Sequence, residues 1–214
     1  MSGTGLLHEL TSAFVEIDYP RVKELIKKAI NSNVPANDIL KAMQEGTVAV
    51  GKKYENGEYF LSELMAVGEF FKAGLEELTP HLSKTNVTSV GTVVVGTVKG
   101  DLHDIGKNLF MTLLQSSAFT VHDLGIDVAP EQFVDELRKT DAGILAMSSL
   151  LTTTMDQMRV VIEELKDAGL RSKLKVIVGG NPINEEFGKE IGADAAVRDA
   201  VIGVRVCKKW VEGT

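Results

Sequence analysis

Cysteine is nearly absent: Cys207 stands alone among 214 residues. No intrachain disulfide can form, and a lone thiol suits a reducing compartment, so a cytoplasmic protein is expected. Excess positive charge is missing too. Lys and Arg number 23 against 30 Asp and Glu, a formal net charge of -7. A nucleic-acid surface needs a basic stripe, so no nucleic-acid partner is expected. No apolar run approaches the roughly 18 residues of a membrane-spanning helix, so no membrane partner is expected either. The opening residues, MSGTGLLHELTSAF, have neither the basic start nor the long apolar centre of a secretion signal. Histidine is scarce, four in all.

What is present is an ordinary globular composition, 44% hydrophobic and 25% charged, enough for one large domain or two small ones. The two halves carry different periods. Up to about residue 85 only helical periodicity occurs. Leu6, Leu7, Leu10, Phe14 and Ile17 share one face. Pro20 opens a second helix through Ile30, and Pro35 a third through Val50, broken at Glu55-Asn56-Gly57. A fourth runs from near Tyr59 to Pro80. Four helices with short connections predict an antiparallel bundle over residues 1–84. Gly46, Gly51, Gly68 and Gly74 lie inside helical patterns, which points to close helix packing. Tyr59-Phe60-Leu61 gathers apolar bulk beside a turn, as a helix-start staple or an apolar lid would. Residues 83–87 are polar and aperiodic and read as a linker.

Residues 88–214 alternate. Strands are predicted at 89–98, 120–124, 142–147, 175–178 and 195–197, with helices near 105–117, 130–140, 154–168, 184–191 and 200–212. Continuous apolar strands alternating with helices predict an α/β fold, a parallel sheet covered on both faces. Five strands of this length favour the flavodoxin-like order 2-1-3-4-5. Ligands then bind beyond the carboxyl ends of strands 1 and 3. Strand 1 ends at Gly100-Asp101-Leu102-His103-Asp104, strand 3 at Ser148-Ser149-Leu150-Leu151 followed by Thr152-Thr153-Thr154, and strand 4 at Gly179-Gly180. A phospho-acceptor domain would need an aspartate where Ser148 stands. A flavin site would need a hydroxyl-rich loop where Gly-Asp-Leu-His stands. Gly96, Gly100 and Gly106 do not fit a dinucleotide fingerprint.

His103 lies between Asp101 and Asp104, and three readings stay open from the residues: a structural loop histidine, a general base oriented by a carboxylate, or a metal ligand. A zinc site is poorly supported, because the facing loops bring hydroxyls and glycines and no second His or Cys. A macrocyclic metal needs one axial ligand only. The Thr152-Thr153-Thr154 run has two readings, hydrogen bonding to a ligand or, for Thr154 nearest the helix start, a cap for the next helix.

GDLHDIGK resembles the D-x-H-x-x-G signature of the cobalamin-binding domain family, found in cobalamin-dependent methionine synthase. Asp101, His103 and Gly106 fill the first element. Residues 107–147 then lead to Ser148-Ser149-Leu150, and residues 151–178 to Gly179-Gly180, at the family's spacings. VGKKYENGEYFLSELMAVGEFFKAG resembles the four-helix cap of the methyl-transferring members, with Ser62 where the family often has proline. The resemblance spans nearly the whole chain and is nearest to the stand-alone corrinoid proteins of three-component methyltransferase systems. It implies a base-off cobalamin or related corrinoid, with His103 as lower cobalt ligand and Asp101 and Ser148 as its proton relay. It implies cofactor contacts from Gly100, Leu102, Asp104, Ile105, Leu150 and Thr152 as well, with Gly106, Gly179 and Gly180 leaving room for the nucleotide tail and Asp104 capping the following helix. Phe60, Leu61 and Val67 would form the lid, hinged at 83–87. The implied activity is that of a methyl carrier, not catalytic alone. It would accept a methyl group on Co(I) from a substrate-specific methyltransferase. It would pass it from methyl-Co(III) to an acceptor methyltransferase serving tetrahydrofolate or coenzyme M, with a reductive activator as third partner. The alternative is the cobalamin subunit of an adenosylcobalamin-dependent isomerase.

Overall fold

The computed structural model describes residues 3–82 and 89–213, which divide into two compact units. The predicted linker at 83–87 lies outside the described residues.

The first unit holds α1 (Gly3–Val15), α2 (Tyr19–Asn31), α3 (Ala36–Glu55) and α4 (Leu61–Leu78), closed by a short 3-10 turn at Thr79–His81. Local chemistry sets the boundaries. Asp18 accepts a hydrogen bond from the Arg21 N–H at 3.1 Å, and Pro20 sits in the first turn, where its missing N–H costs nothing. The four helices bury Leu10, Phe14, Ile26, Met43, Leu64 and Phe71 among themselves. Gly46 is a packing requirement: a Cβ there would fall 2.5 Å from that of Phe14 on α1. The fourth helix starts at Leu61 rather than Tyr59. Tyr59 is drawn out of it by a hydrogen bond from its hydroxyl to the Val15 carbonyl, 2.8 Å.

The second unit is a five-stranded parallel sheet in the order β2-β1-β3-β4-β5, as the alternating pattern predicts. The strands are β1 (Gly91–Thr97), β2 (Phe119–Asp123), β3 (Ile144–Ser148), β4 (Lys175–Gly179) and β5 (Ala195–Val197). Between and after them run α5 (Ile105–Ser116), α6 (Pro130–Thr140), α7 (Gln157–Asp167), α8 (Glu185–Ile191) and α9 (Ala200–Glu212). β1, β3 and β4 are buried almost throughout, as central parallel strands must be. Phe133, Leu137, Val161, Ile162 and Leu165 of α6 and α7 complete one core layer against Leu145, Val176 and Val178. α7 begins at Gln157, not near 154, because residues 152–156 are turns. Pairing sets Thr97 beside Ser148 and Ser148 beside Gly179, so β1, β3 and β4 end side by side.

Candidate functional site

At that shared edge the loop after β1 meets the loop after β3, and the meeting point is one carboxylate. Asp101 is fully buried. Its Oδ1 accepts from the His103 backbone N–H at 3.0 Å and lies 2.8 Å from His103 Nδ1. Its Oδ2 accepts from the Leu150 N–H at 2.7 Å and the Leu151 N–H at 3.2 Å, and from the hydroxyls of Thr154 at 2.9 Å and Ser149 at 3.2 Å. Burial alone pushes this carboxyl up. The bonds from His103, Leu150 and Thr154 outweigh it and hold Asp101 far below the usual carboxylate range. An ionised Asp101 can only accept, so the His103 proton sits on Nδ1 and the lone pair of Nε2 points away from the carboxylate. The imidazole is half exposed, and Nε2 has no partner among the described residues. Thr97, itself buried, donates to the His103 carbonyl at 3.2 Å and fixes the loop from below.

The two loops that meet at Asp101 expose apolar side chains. Leu102 and Ile105 are 66% and 67% exposed, and Leu150 and Leu151 of the facing loop are exposed as well. Exposed leucine and isoleucine on the same two loops as the half-exposed imidazole suit a flat apolar ligand. Beside these loops a cleft of about 540 Å³, open solvent at its mouth included, runs along the sheet edge between α5 and α9. Gly106, Phe110, Ser148, Gly179, Gly180 and Val197 line it. The glycines have different reasons to be there. Gly180 has φ +139°, and a Cβ on it would fall 1.8 Å from the Ser149 carbonyl oxygen, so the backbone itself demands glycine. A Cβ on Gly106 would meet nothing within 4 Å, and one on Gly179 would make only ordinary contacts. At these two the protein leaves room it does not use.

Several expected positions are corrected. Ser148 lines the cleft, but it is Ser149 and Thr154 whose hydroxyls reach Asp101. Side chains alternate across a strand, so when Ser148 faces the cleft its neighbour turns to the other side. Thr154 does not cap α7: its side chain is buried against Asp101, and its hydroxyl also lies 2.8 Å from that of Ser149. Thr152 is exposed on the turn and does not line the cleft. Asp104 precedes α5, but its carboxylate takes the Asn108 side-chain amide at 3.0 Å rather than a backbone N–H. Gly100 contributes by conformation, with φ +82° and its N–H bonded to Asp127 at 2.6 Å. In the helical unit Phe60 is 73% exposed and Leu61 half exposed, whereas Val67 is completely buried and offers no surface to a ligand. Met65, one turn after Leu61, is exposed and extends the patch. Ser149 and Thr154 were missed because four hydroxyls follow Ser148 within six residues, and only the path of the loop selects among them.

A family model described as the B12 binding domain matches residues 91–201, and a second B12 binding domain model matches residues 6–79. The chain belongs to the B12-binding family. It is 39% identical over 206 residues to dimethylamine corrinoid protein 3 of Methanosarcina acetivorans, covering 96% of each chain. A crystal structure of a cobalamin-binding protein from Desulfitobacterium hafniense is 38% identical, with a TM-score of 0.75, covering 95% of this chain and 98% of that one. The methanol:cobalamin methyltransferase complex of Methanosarcina barkeri gives a TM-score of 0.86 at 27% identity, over 98% of this chain and 81% of the matched chain. The residues present fit the family's cofactor. Among the described residues no three His, Cys, Asp or Glu side chains converge to hold a bare metal ion. A corrin brings four ligands of its own and asks the protein for one, which His103 Nε2 can supply. The exposed apolar side chains suit the ring, and the cleft with its two undemanded glycines suits a bulky appendage.

Proposed function

We propose that the chain is a corrinoid methyl carrier, with the cofactor held base-off and His103 Nε2 as its lower ligand. The observation that carries this reading is the single histidine fixed through Nδ1 to a buried, ionised Asp101, with Nε2 presented on a loop that exposes apolar side chains. When bound, the corrinoid supplies a cobalt that takes a methyl group from one partner and yields it to another. The chain's residues do the rest. Asp101 holds the tautomer and strengthens Nε2 as a donor. Thr154 and Ser149 keep the carboxylate in place and ionised. With Nδ1 committed to Asp101, Nε2 is the nitrogen that would hold the cobalt. Leu102, Ile105, Leu150 and Leu151 keep water from the lower face. The cleft takes the cofactor's nucleotide tail past Gly106 and Gly179. Phe60, Leu61 and Met65 form an exposed apolar patch that supports the helical unit's role as a shield for the reactive group.

The partners of this reading are a substrate-specific methyltransferase, an acceptor methyltransferase using tetrahydrofolate or coenzyme M, and a reductive activator. Methylated amines are the first donors to try, because a relative is named a dimethylamine corrinoid protein. Incubation with hydroxocobalamin should give one cobalt per chain. His103→Ala should lose the histidine-ligated visible spectrum while retaining cofactor through the tail. No uptake by the wild type, or a wild-type spectrum in the variant, overturns the reading.

A further inference from the structure

The cleft beside His103 carries one cation, Arg198, between the end of β5 and the start of α9. Of the six arginines in the chain, Arg21, Arg138, Arg159 and Arg171 are ion-paired and Arg205 has a partner of its own. Arg198 has no carboxylate within ion-pair distance among the described residues. It is nonetheless held. Its Nε donates to the Ile183 carbonyl at 2.8 Å, and the Ile183 N–H donates to the Gly180 carbonyl at 3.1 Å. The guanidinium is thus tethered to the loop that carries Gly179 and Gly180, and both terminal nitrogens remain available at the exposed mouth of the cleft. Asp199 also lines the cleft, but its Oδ1 is engaged in capping α9, where it accepts from the Val201 and Ile202 N–H groups at 2.8 and 3.1 Å. A planar fork fixed at one nitrogen, in a chain of net charge -7, is the arrangement that selects an oxyanion over a neutral group.

We infer that Arg198 binds the phosphodiester of the corrinoid's nucleotide tail and makes the cleft selective for corrinoids that carry a phosphate. This rests on the corrinoid reading above. Cobinamide, which ends before the phosphate, and cobinamide phosphate separate the two claims. In titrations followed by absorbance, the wild type should bind cobinamide phosphate about tenfold more tightly than cobinamide, the worth of one partly exposed charge-assisted bond. Arg198→Ala should erase that preference and leave cobinamide affinity unchanged. Arg198→Lys, a point charge without the fork, should keep part of it, and the preference should shrink as salt is raised. Equal affinity of the wild type for the two ligands overturns the inference while leaving the corrinoid reading intact. So does an equal loss for both ligands in Arg198→Ala, which would make the arginine a prop for the loop. Failure of the wild type to bind cobalamin or either analogue removes the corrinoid reading itself.

Discussion

Gly106→Ala separates a glycine kept for the fold from one kept for a ligand. Gly106 is the second residue of α5, in helical conformation, and an added methyl would find no atom within 4 Å. In the ligand-free protein the substitution therefore removes backbone freedom from the unfolded chain and adds no clash. Alanine in place of a helical glycine is worth about 0.5–1 kcal/mol, which raises the melting temperature of the α/β unit by about 2–5 °C. With the tail in the cleft the same methyl is one too many. Overpacking by one carbon costs about 1–3 kcal/mol, so corrinoid affinity should fall about 5- to 150-fold. Calorimetry on the ligand-free protein and an absorbance titration with hydroxocobalamin read the two effects separately. A variant less stable than the wild type would show that Gly106 serves the backbone. A variant with unchanged affinity would show that the tail does not pass it.

Thr154→Val keeps the shape and deletes a hydroxyl that bonds Asp101 at 2.9 Å; it should cost about 1.5–3 kcal/mol by urea unfolding at pH 7. Asp101 is depressed in the folded state, so its stabilisation is complete above the unfolded value of about 4 and is lost as pH falls through the folded one. The variant raises the folded value, and its deficit should hold steady from pH 8 to about 5 and narrow only as the pH falls through that raised folded value, which still lies below the unfolded one. A deficit that grows in acid would contradict the assignment. Gly180→Ala, with its Cβ driven onto the Ser149 carbonyl at φ +139°, should lose about 3–5 kcal/mol in the same assay. Paired Phe60→Ser and Leu61→Ser changes, on side chains already in solvent, should alter the stability of the helical unit by less than about 0.5 kcal/mol. They should also hasten air reoxidation of the reduced cofactor, and unchanged reoxidation would remove the shielding role.

The sheet was legible because its central strands are buried on both faces and carry continuous apolar runs, as Val93-Val94-Val95 and Val176-Ile177-Val178 do. Strand ends were less so. Val98 continues the apolar run past β1, but it pairs with Val128 in an isolated bridge instead of extending the ladder. Val67 misled for the opposite reason. Apolar residues one turn apart look alike on a helix, and only the neighbours α4 acquires decide which one meets solvent.

Sequence alone determined the element order, the periodicity of each half and the spacing that links Asp101-x-His103, Ser148 and Gly179-Gly180. These are one-dimensional quantities, written as residue type and distance along the chain. Tertiary structure decided which hydroxyl answers Asp101, because Thr154 lies 53 residues away and reaches the carboxylate only when β1 and β3 pair. It decided too that Gly180 belongs to the backbone while Gly106 leaves open space. Those differences depend on where a missing Cβ would point, and no spacing encodes that.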